Sequence, residues 1–220
     1  FLFNVHNKLS ADCATNKKRL IEGKRVKQFT EVTVNFDPPQ LEAGMLVVDG
    51  LFGSGLNKPL AGGFAAMVKY INQSAAKIVS IDLPSDLMSE DNAYNISANI
   101  IRADLTLTLQ QKKLSMMMAD NQQYLGRIKV LDIRLSPEFI QRTESRCSIL
   151  EEKDIRQLLK PRGDFAHKGS MGTALLIAGS YGMSGASVLA TRACLRTGVG
   201  KVITHTPKRN SEIMQISVPE

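Results

Sequence analysis

Two segments of the sequence place an acidic side chain directly after an apolar run. In the first, Asp49 leads into a glycine-rich turn, Gly53-Ser54-Gly55. In the second, Asp82 ends the apolar run and Ser85 comes three residues later. A carboxylate and free backbone N–H groups at the carboxyl ends of parallel strands lie at the crevice where open α/β sheets bind ligands. Both segments are therefore candidate ligand-binding sites.

The residue types in these segments suit a cation and a phosphate. If the two strands are neighbours, Asp49 and Asp82 converge on one crevice, and the Ser85 hydroxyl could complete an oxygen cage for a cation. Glycines let the backbone approach a phosphate without a Cβ clash, and Lys58 could balance its charge. A structural interpretation stays open, in which both acids and Ser85 form turns and the glycines only tighten the first one.

The hydrophobic pattern around these segments alternates between strand and helix. A helix over 62–73 is predicted because Phe64, Met67, Val68 and Ile71 recur at the spacing of one helix face. A continuous apolar run at 45–48 is typical of a buried parallel strand. Further strands are predicted at 1–5, 32–34, 77–81, 105–109, 127–133, 173–178 and 201–205, with further helices from the Ser10 cap to Glu22 and over 184–197. This alternation predicts an α/β fold with a doubly wound sheet.

A charged segment near Ser145 separates two sets of elements. We expect one domain at 1–145 and a second at 146–220, where only two strands and two helices are clearly indicated. The second set buries little apolar surface for a domain of its own.

Composition is typical of a globular protein and argues against nucleic-acid binding and a membrane span. The chain has 220 residues, 43% of them hydrophobic, and 28 Lys plus Arg against 21 Asp plus Glu, a net charge of +7, which is ordinary for a globular protein. Aromatic residues make up only 5%, so stacking platforms for nucleic acid are scarce. The uncharged stretch 169–191 contains five glycines, which argues against a membrane span. Three cysteines without a CxxC pair and no visible signal peptide favour a cytoplasmic location.

The motifs together resemble a known pair of enzyme domains. The segment 47–87, with Asp49, the turn 53–59 and Asp-Leu-Pro-Ser at 82–85, resembles the NAD(P)H-hydrate epimerase domain. The segments 167–169, 174–180, 182–186, 196–200 and 218–220 are similar to the opening of the ADP-dependent NAD(P)H-hydrate dehydratase. In bacteria these domains are commonly fused in this order, as the bifunctional NAD(P)H-hydrate repair enzymes.

The resemblance implies a fold and residue roles. The fold is a Rossmann-like three-layer epimerase domain followed by the start of a ribokinase-like α/β domain. Asp49 and Ser85 would bind a potassium ion, and Asp82 would hydrogen-bond the substrate. Ala186 aligns with a substrate-contacting alanine of the dehydratase. The remaining substrate contacts implied are Gly53, Ser54, Gly55, Leu56, Asn57, Lys58 and Pro59.

The resemblance also implies an activity. The epimerase interconverts the R and S hydrates of NADH and NADPH at carbon six of the nicotinamide, and the dehydratase restores the S form with ADP or ATP. Besides potassium, a magnesium ion is compatible with the second activity. The implied partners are the NADH and NADPH hydrates and further copies of the chain, with no nucleic acid and no membrane. Asp49 is the candidate acid or base, although the same group is an implied potassium ligand.

Three departures from the family pattern stand out. The Asn-Asn-Gly-Gly-Asp-Gly loop, expected before Phe1, is absent, and in a sheet of order 3-2-1-4-5-6 the strand 1–5 would then lack its inner neighbour. The nucleotide-binding loop and Gly-x-Gly-Asp turn of ribokinase-like enzymes are also absent, so no dehydratase activity is expected of this chain. Asp86 stands where the family usually has Gly. If that position needs a positive φ, Asp tolerates it less well than Gly but better than most residues, and its carboxylate could alter cation affinity.

Two other functions remain as alternatives. One is a small-molecule kinase of the ribokinase class. The other is a dinucleotide-binding module without catalysis, which would act as a sensor or scaffold.

Overall fold

The computed structural model describes residues 1–5, 7–24, 26–34, 36–159 and 161–219. It divides the chain into two units, Phe1–Cys147 and Ser148–Glu220. The expected boundary between 145 and 146 lies two residues from this division. The assignment of each unit to an enzyme domain stays a prediction, and the motif residue Glu220 lies outside the described residues.

The first unit alternates strands and helices along most of its length, as the sequence pattern predicted. None of the helices in the described part of the chain is long and apolar enough to cross a membrane. The α/β class with parallel strands is confirmed. The strands are β1 (Leu2–Phe3), β2 (Glu31–Val32), β3 (Leu46–Asp49), β4 (Lys77–Ile81), β5 (Leu105–Leu109) and β6 (Arg127–Leu131), and the helices are α1 (Ala11–Glu22), α2 (Gly62–Gln73), α3 (Gln122–Leu125) and α4 (Pro137–Arg142).

The main sheet of the first unit has the order β3-β4-β5-β6, with all strands parallel. Asp49 at the end of β3 pairs with Ser80 of β4, and Ile81 pairs with Leu107 of β5. The carboxyl ends of β3, β4 and β5 therefore lie side by side. This arrangement meets the condition under which Asp49 and Asp82 were expected to converge.

Two apolar clusters hold the sheet and its strand-end loops in place. In the first, the buried face of α2, with Ala65, Val68 and Ile71, packs in a cluster with Ile78 and Ile101. Each fully buried aliphatic side chain stabilises the fold by roughly 1.5–3 kcal/mol. The second cluster lies under the loops that follow β4 and β5, and comprises Leu83, Leu87, Ile100, Met116, Tyr124 and Leu125.

The strand β3 is more exposed than its sequence predicted. Leu46 and Val48 are 62% and 60% exposed. Within the described residues β3 pairs only with β4, and β1 only with β2, so each has one unpaired edge. A cavity of about 630 Å³, lined largely by side chains of β1, β3 and α2, lies beside these edges. The predicted strand at 45–48 is confirmed. The prediction that this strand is buried is wrong, because β3 is an edge strand among the described residues. In the same part of the chain β1 likewise has no second partner.

The second unit contains a parallel strand pair, β7 (Thr173–Ile177) and β8 (Lys201–His205). They are connected by the helix α6 (Ser184–Arg196), and the unit also has α5 (Glu152–Leu158) and α7 (Ser211–Ser217). The buried positions of α6 are Ser187 and Thr191, and the hydroxyls of Thr191 and Thr204 lie 2.8 Å apart. This strand-helix-strand order matches the predicted elements, while the ribokinase-like assignment stays a prediction.

Candidate functional site

Asp49 is the last residue of β3, and it is only 2% exposed. One carboxylate oxygen, Oδ2, accepts a 2.8 Å hydrogen bond from the Ser80 hydroxyl and a 2.9 Å bond from the Ser85 backbone N–H. The other oxygen, Oδ1, accepts a 2.6 Å bond from the Ser85 hydroxyl. Buried carboxylates require such partners because they have lost their hydration. Asp49 therefore connects β3 to β4 and to the loop that follows β4.

Ser85 links the same loop to the turn after β3. Its hydroxyl oxygen accepts a 3.1 Å bond from the Phe52 N–H. The Phe52 carbonyl oxygen lies 3.4 Å away, so the hydroxyl hydrogen has two acceptors within reach, this carbonyl and Asp49. The structure thus brings the predicted pair, Asp49 and Ser85, into direct contact.

Asp82 follows β4 in the left-handed region of backbone space, with φ +69°. Its Oδ2 accepts a 2.9 Å bond from the Ser54 N–H, and its Oδ1 forms an ion pair with Lys113. Burial alone would raise the pKa of Asp82, but the hydrogen bonds from Lys113 and Ser54 outweigh it and hold the pKa below its ordinary value. Asp82 is therefore an anion at neutral pH, in contact with the predicted turn.

Lys113 is a component of this site that the sequence analysis did not single out. It lies four residues after the end of β5, and besides Asp82 its ammonium reaches the Thr108 hydroxyl at 2.9 Å and the Leu109 carbonyl at 3.0 Å. A signal was present in the sequence. The strand 105–109 was predicted, and the rule that ligand-binding residues follow strand ends applies to it as well.

The two glycines of the turn 53–59 have different surroundings. A Cβ atom on Gly53 would lie 2.9 Å from Asp82 Oδ2, whereas one on Gly55 would meet nothing within 4 Å. Gly53 is thus required by the contact with Asp82 inside the protein. The proposed approach of this turn to a phosphate remains a prediction. Of the predicted contacts, Gly53 and Leu56 are half-buried, while Ser54, Gly55, Asn57, Lys58 and Pro59 are exposed and accessible to a ligand.

Asp86 ties the far end of the turn to the loop after β4. It is fully buried and has φ +74°, so this position does adopt the positive φ that the sequence analysis considered. Its Oδ1 accepts a 2.6 Å bond from the Leu60 N–H, while Oδ2 has no partner among the described residues. Burial raises the pKa of Asp86, and the Leu60 N–H offsets this only in part.

Ala186 lies apart from these residues in the sequence and belongs to the second unit. It is exposed and lies in the first turn of α6, directly before the buried Ser187. Its predicted contact with substrate stays a prediction.

The oxygen atoms near Asp49 are of the types that bind a hard cation. A carboxylate, the Ser85 hydroxyl and the Phe52 carbonyl are the ligand types that alkali and alkaline-earth ions prefer. They adjoin one another, with Ser85 Oγ in contact with both other groups. Nowhere in the described ranges do three or more His, Cys, Asp or Glu side chains form a group that could hold a metal ion. The donor set therefore suits potassium better than zinc.

Comparison with known proteins places the first unit in a family. Residues 1–115 match the family model described as YjeF-related protein N-terminus. The chain is also similar to curated proteins named bifunctional NAD(P)H-hydrate repair enzyme Nnr. The one from Dictyoglomus turgidum is 29% identical over 204 residues, which are 92% of this chain and 38% of that protein.

Two further relatives with the same name have similar sequence identity to this chain and similar coverage. The Moorella thermoacetica protein is 32% identical over 183 residues, 80% of this chain and 34% of its own length. The Thermofilum pendens protein is 29% identical over 221 residues, 100% of this chain and 41% of its own length. The chain thus spans between about one third and two fifths of the length of these curated relatives. Because the family model covers more than half of its residues, the chain belongs to the YjeF-related protein N-terminus family.

Proposed function

We propose that the first unit carries an NAD(P)H-hydrate epimerase site, which interconverts the R and S hydrates of NADH and NADPH. The observation that carries the proposal is the joining of three strand ends in one place, through Asp49 with Ser85 and through Asp82 with Ser54 and Lys113. The family of residues 1–115 and the names of the relatives support the substrate class.

The reaction requires that a hydroxyl group changes faces on one ring carbon. When the hydroxyl leaves as water it takes a proton from an acid, and when water adds to the opposite face a proton returns to the base. The reaction therefore conserves atoms, and a proton-transferring or hydrogen-bonding group near that carbon accelerates it. The site must hold the dinucleotide in one position while this exchange takes place.

We assign Asp82 to substrate binding as a hydrogen-bond acceptor. Its side chain keeps a small exposed fraction, 12%, and it is ionised at neutral pH. Its contact with the Ser54 N–H fixes it next to the turn 53–59. The exposed residues of that turn would contact the dinucleotide, with Lys58 balancing a phosphate charge.

We assign Asp49 to anchoring the strand ends and, with Ser85, to holding potassium. Its carboxylate accepts four hydrogen bonds, from the Ser80 hydroxyl, the Ser85 hydroxyl and N–H, and the Leu51 N–H. The acid or base role considered for Asp49 would therefore require it to release one of them, whereas Asp82 accepts only two from the described residues. A potassium ion bound there would supply positive charge at this strand end. The Phe52 carbonyl is a third oxygen available to it.

For the whole protein we propose the second activity named by the resemblance. The complete second domain would dehydrate the S hydrate with ADP or ATP and magnesium, and Ala186 would contact its substrate. The word bifunctional in the relatives' names supports this proposal. We further propose a homo-oligomer in the cytoplasm.

The epimerase proposal is tested with the separated R hydrate of NADPH in potassium buffer. The formation of the S hydrate is followed by chromatography for the unchanged protein, for Asp82→Asn and for the control Asp120→Asn, which alters an exposed acid of the same unit. We expect the Asp82 variant to lose about 10- to 100-fold in kcat/KM, the effect of losing a hydrogen bond to a charged group. The control should match the unchanged protein.

Calorimetric binding of the same hydrate separates the alternatives. Binding without turnover by the unchanged protein would favour the non-catalytic dinucleotide-binding module. If the unchanged protein shows no binding and no turnover, the proposed function is contradicted.

The potassium assignment has its own test. Thermal unfolding is compared in potassium chloride and in choline chloride at equal ionic strength, for the unchanged protein and for Asp49→Asn. Potassium should raise the Tm of the former and not of the latter. Equal Tm values for the unchanged protein in both salts would contradict the assignment.

A further inference from the structure

Lys113 has a fully occupied ammonium group. It donates to Asp82, to the Thr108 hydroxyl at 2.9 Å and to the Leu109 carbonyl at 3.0 Å. An ammonium has three N–H donors, so every donor of Lys113 is used. Its side chain is only 14% exposed. The charge is therefore fixed in position at the end of β5.

The Lys113–Asp82 ion pair is part of a series of contacts that joins three strand ends. Lys113 contacts Oδ1 of Asp82, and Oδ2 of the same carboxylate accepts the Ser54 N–H at 2.9 Å. Gly53 lies so close that a Cβ atom there would stand 2.9 Å from Oδ2. The backbone of the turn after β3 thus contacts one oxygen of the Asp82 carboxylate, and Lys113 from the loop after β5 contacts the other oxygen.

We infer that Lys113 is a positioning residue of the epimerase site. Its ammonium orients the Asp82 carboxylate, and through it the Gly53–Ser54 backbone, for binding of the dinucleotide. The inference rests on the proposed function and extends it to a third strand end. Because Lys113 has no free donor, it acts through Asp82 and not by direct contact with substrate.

Electrostatics supports the same role. In the described part of the chain, the groups that face Asp82 are the Lys113 ammonium from the loop after β5 and the backbone N–H and side-chain hydroxyl of Ser54 from the turn after β3. Burial raises the pKa of Asp82, and these donors lower it because they favour the anion. Without Lys113, the carboxylate would keep only the neutral donors of Ser54 and would take up a proton at a higher pH.

The test compares Lys113→Met with the matched control Lys112→Met, which removes the exposed neighbouring lysine. The titration of Asp82 is followed by carbon-13 NMR of labelled aspartate, with the signal assigned by its absence in Asp82→Asn. The kcat/KM for epimerisation is measured against pH in the same proteins. A third variant, Lys113→Arg, retains the positive charge.

The inference predicts a joint change in both measurements. In Lys113→Met the pKa of Asp82 should rise, and kcat/KM should fall about 10- to 100-fold, with its acid limb displaced to higher pH. Lys113→Arg should restore the low pKa and part of the activity, and Lys112→Met should resemble the unchanged protein. If Lys113→Met does not fold, Lys113→Gln replaces it, because the amide retains two donors and removes only the charge.

The experiment distinguishes failure of the proposed function from failure of the positioning role of Lys113. An unchanged protein that does not epimerise the hydrate overturns the proposed function and with it the positioning role. An active protein whose Lys113→Met variant keeps its Asp82 titration, or keeps its kcat/KM and pH profile, overturns the positioning role alone.

Discussion

Asp49 ends one strand and Asp82 follows the neighbouring strand, two residues beyond the Ser80 that pairs with Asp49, but the partners of the two acids differ in charge. Asp49 is surrounded by neutral donors, the hydroxyls of Ser80 and Ser85 and the backbone N–H groups of Leu51 and Ser85. Asp82 is paired with the cation of Lys113. Both carboxylates are buried, but Asp49 is held by neutral donors as an anchor, whereas the lysine keeps Asp82 charged. One sequence pattern, an apolar strand followed by Asp, thus produces two sites of different character.

The largest effect expected from this difference is on folding stability at Asp49. Asp49→Ala should lower the free energy of unfolding by about 3–5 kcal/mol, because the buried donors of Ser80 and Ser85 lose their acceptor. Urea unfolding measures the change, with Asp120→Ala as an exposed control expected within about 0.5 kcal/mol of the unchanged protein. A loss at Asp49 as small as that of the control would show that Asp49 is not an anchor.

The pH dependence of stability separates the second acid from the first. The folded-state pKa of Asp82 is lowered, so its ion pair stabilises the protein above the unfolded pKa of about 3.9 and loses this effect as the pH falls through the lower folded value. Lys113→Met should cost about 2–3 kcal/mol at neutral pH and less at acid pH. Unfolding measured from pH 7 to pH 3 gives both values. A cost that does not diminish at low pH would contradict the charge pairing.

The turn between the two acids should tolerate a methyl group at one glycine only. Gly53→Ala should destabilise the protein by about 1–2 kcal/mol, since its Cβ atom would press on a carboxylate that Lys113 holds in place. Gly55→Ala, with open space around it, should change stability by no more than about 0.5 kcal/mol. Thermal unfolding of the pair provides the comparison, and equal effects would mean that Gly53 does not rest on Asp82.

The smallest expected effect is a gain in stability at Asp86. Its folded-state pKa is raised, so the unfolded chain releases its proton first as the pH rises, and the folded state becomes less stable through that range. Asp86→Asn keeps an acceptor for the Leu60 N–H and should gain about 1 kcal/mol at neutral pH. The gain should vanish below about pH 3.9, where the acid is protonated in both states. Denaturant unfolding at both pH values checks this, and a gain that persists in acid would contradict it.

Much of the sheet was predictable because its signals are local. The helix 62–73 and the strands 77–81, 105–109 and 201–205 have the predicted bounds, since periodicity and apolar runs are properties of adjacent residues. The exposure of β3 was not predictable in this way, because it depends on which strands pair.

The candidate site shows the same limit. Contact between Asp49 and Ser85 followed from the strand-end rule once their strands were taken as neighbours. The pairing of Asp82 with Lys113 joins residues 31 positions apart, and nothing in a lysine after a strand identifies its partner. The bond from Leu60 to Asp86 likewise depends on where two loops meet.

The central claim is that Asp82 acts on the substrate while Asp49 maintains the structure. The most direct test measures R-to-S epimerisation of NADPH hydrate by Asp49→Asn and Asp82→Asn, corrected for the folded fraction of each from its unfolding curve. The account predicts that Asp82→Asn loses about 10- to 100-fold in corrected kcat/KM, while the activity lost by Asp49→Asn follows mainly its loss of folded protein. Full corrected activity in Asp82→Asn, with an inactive but folded Asp49→Asn, would contradict the account and reverse the two roles.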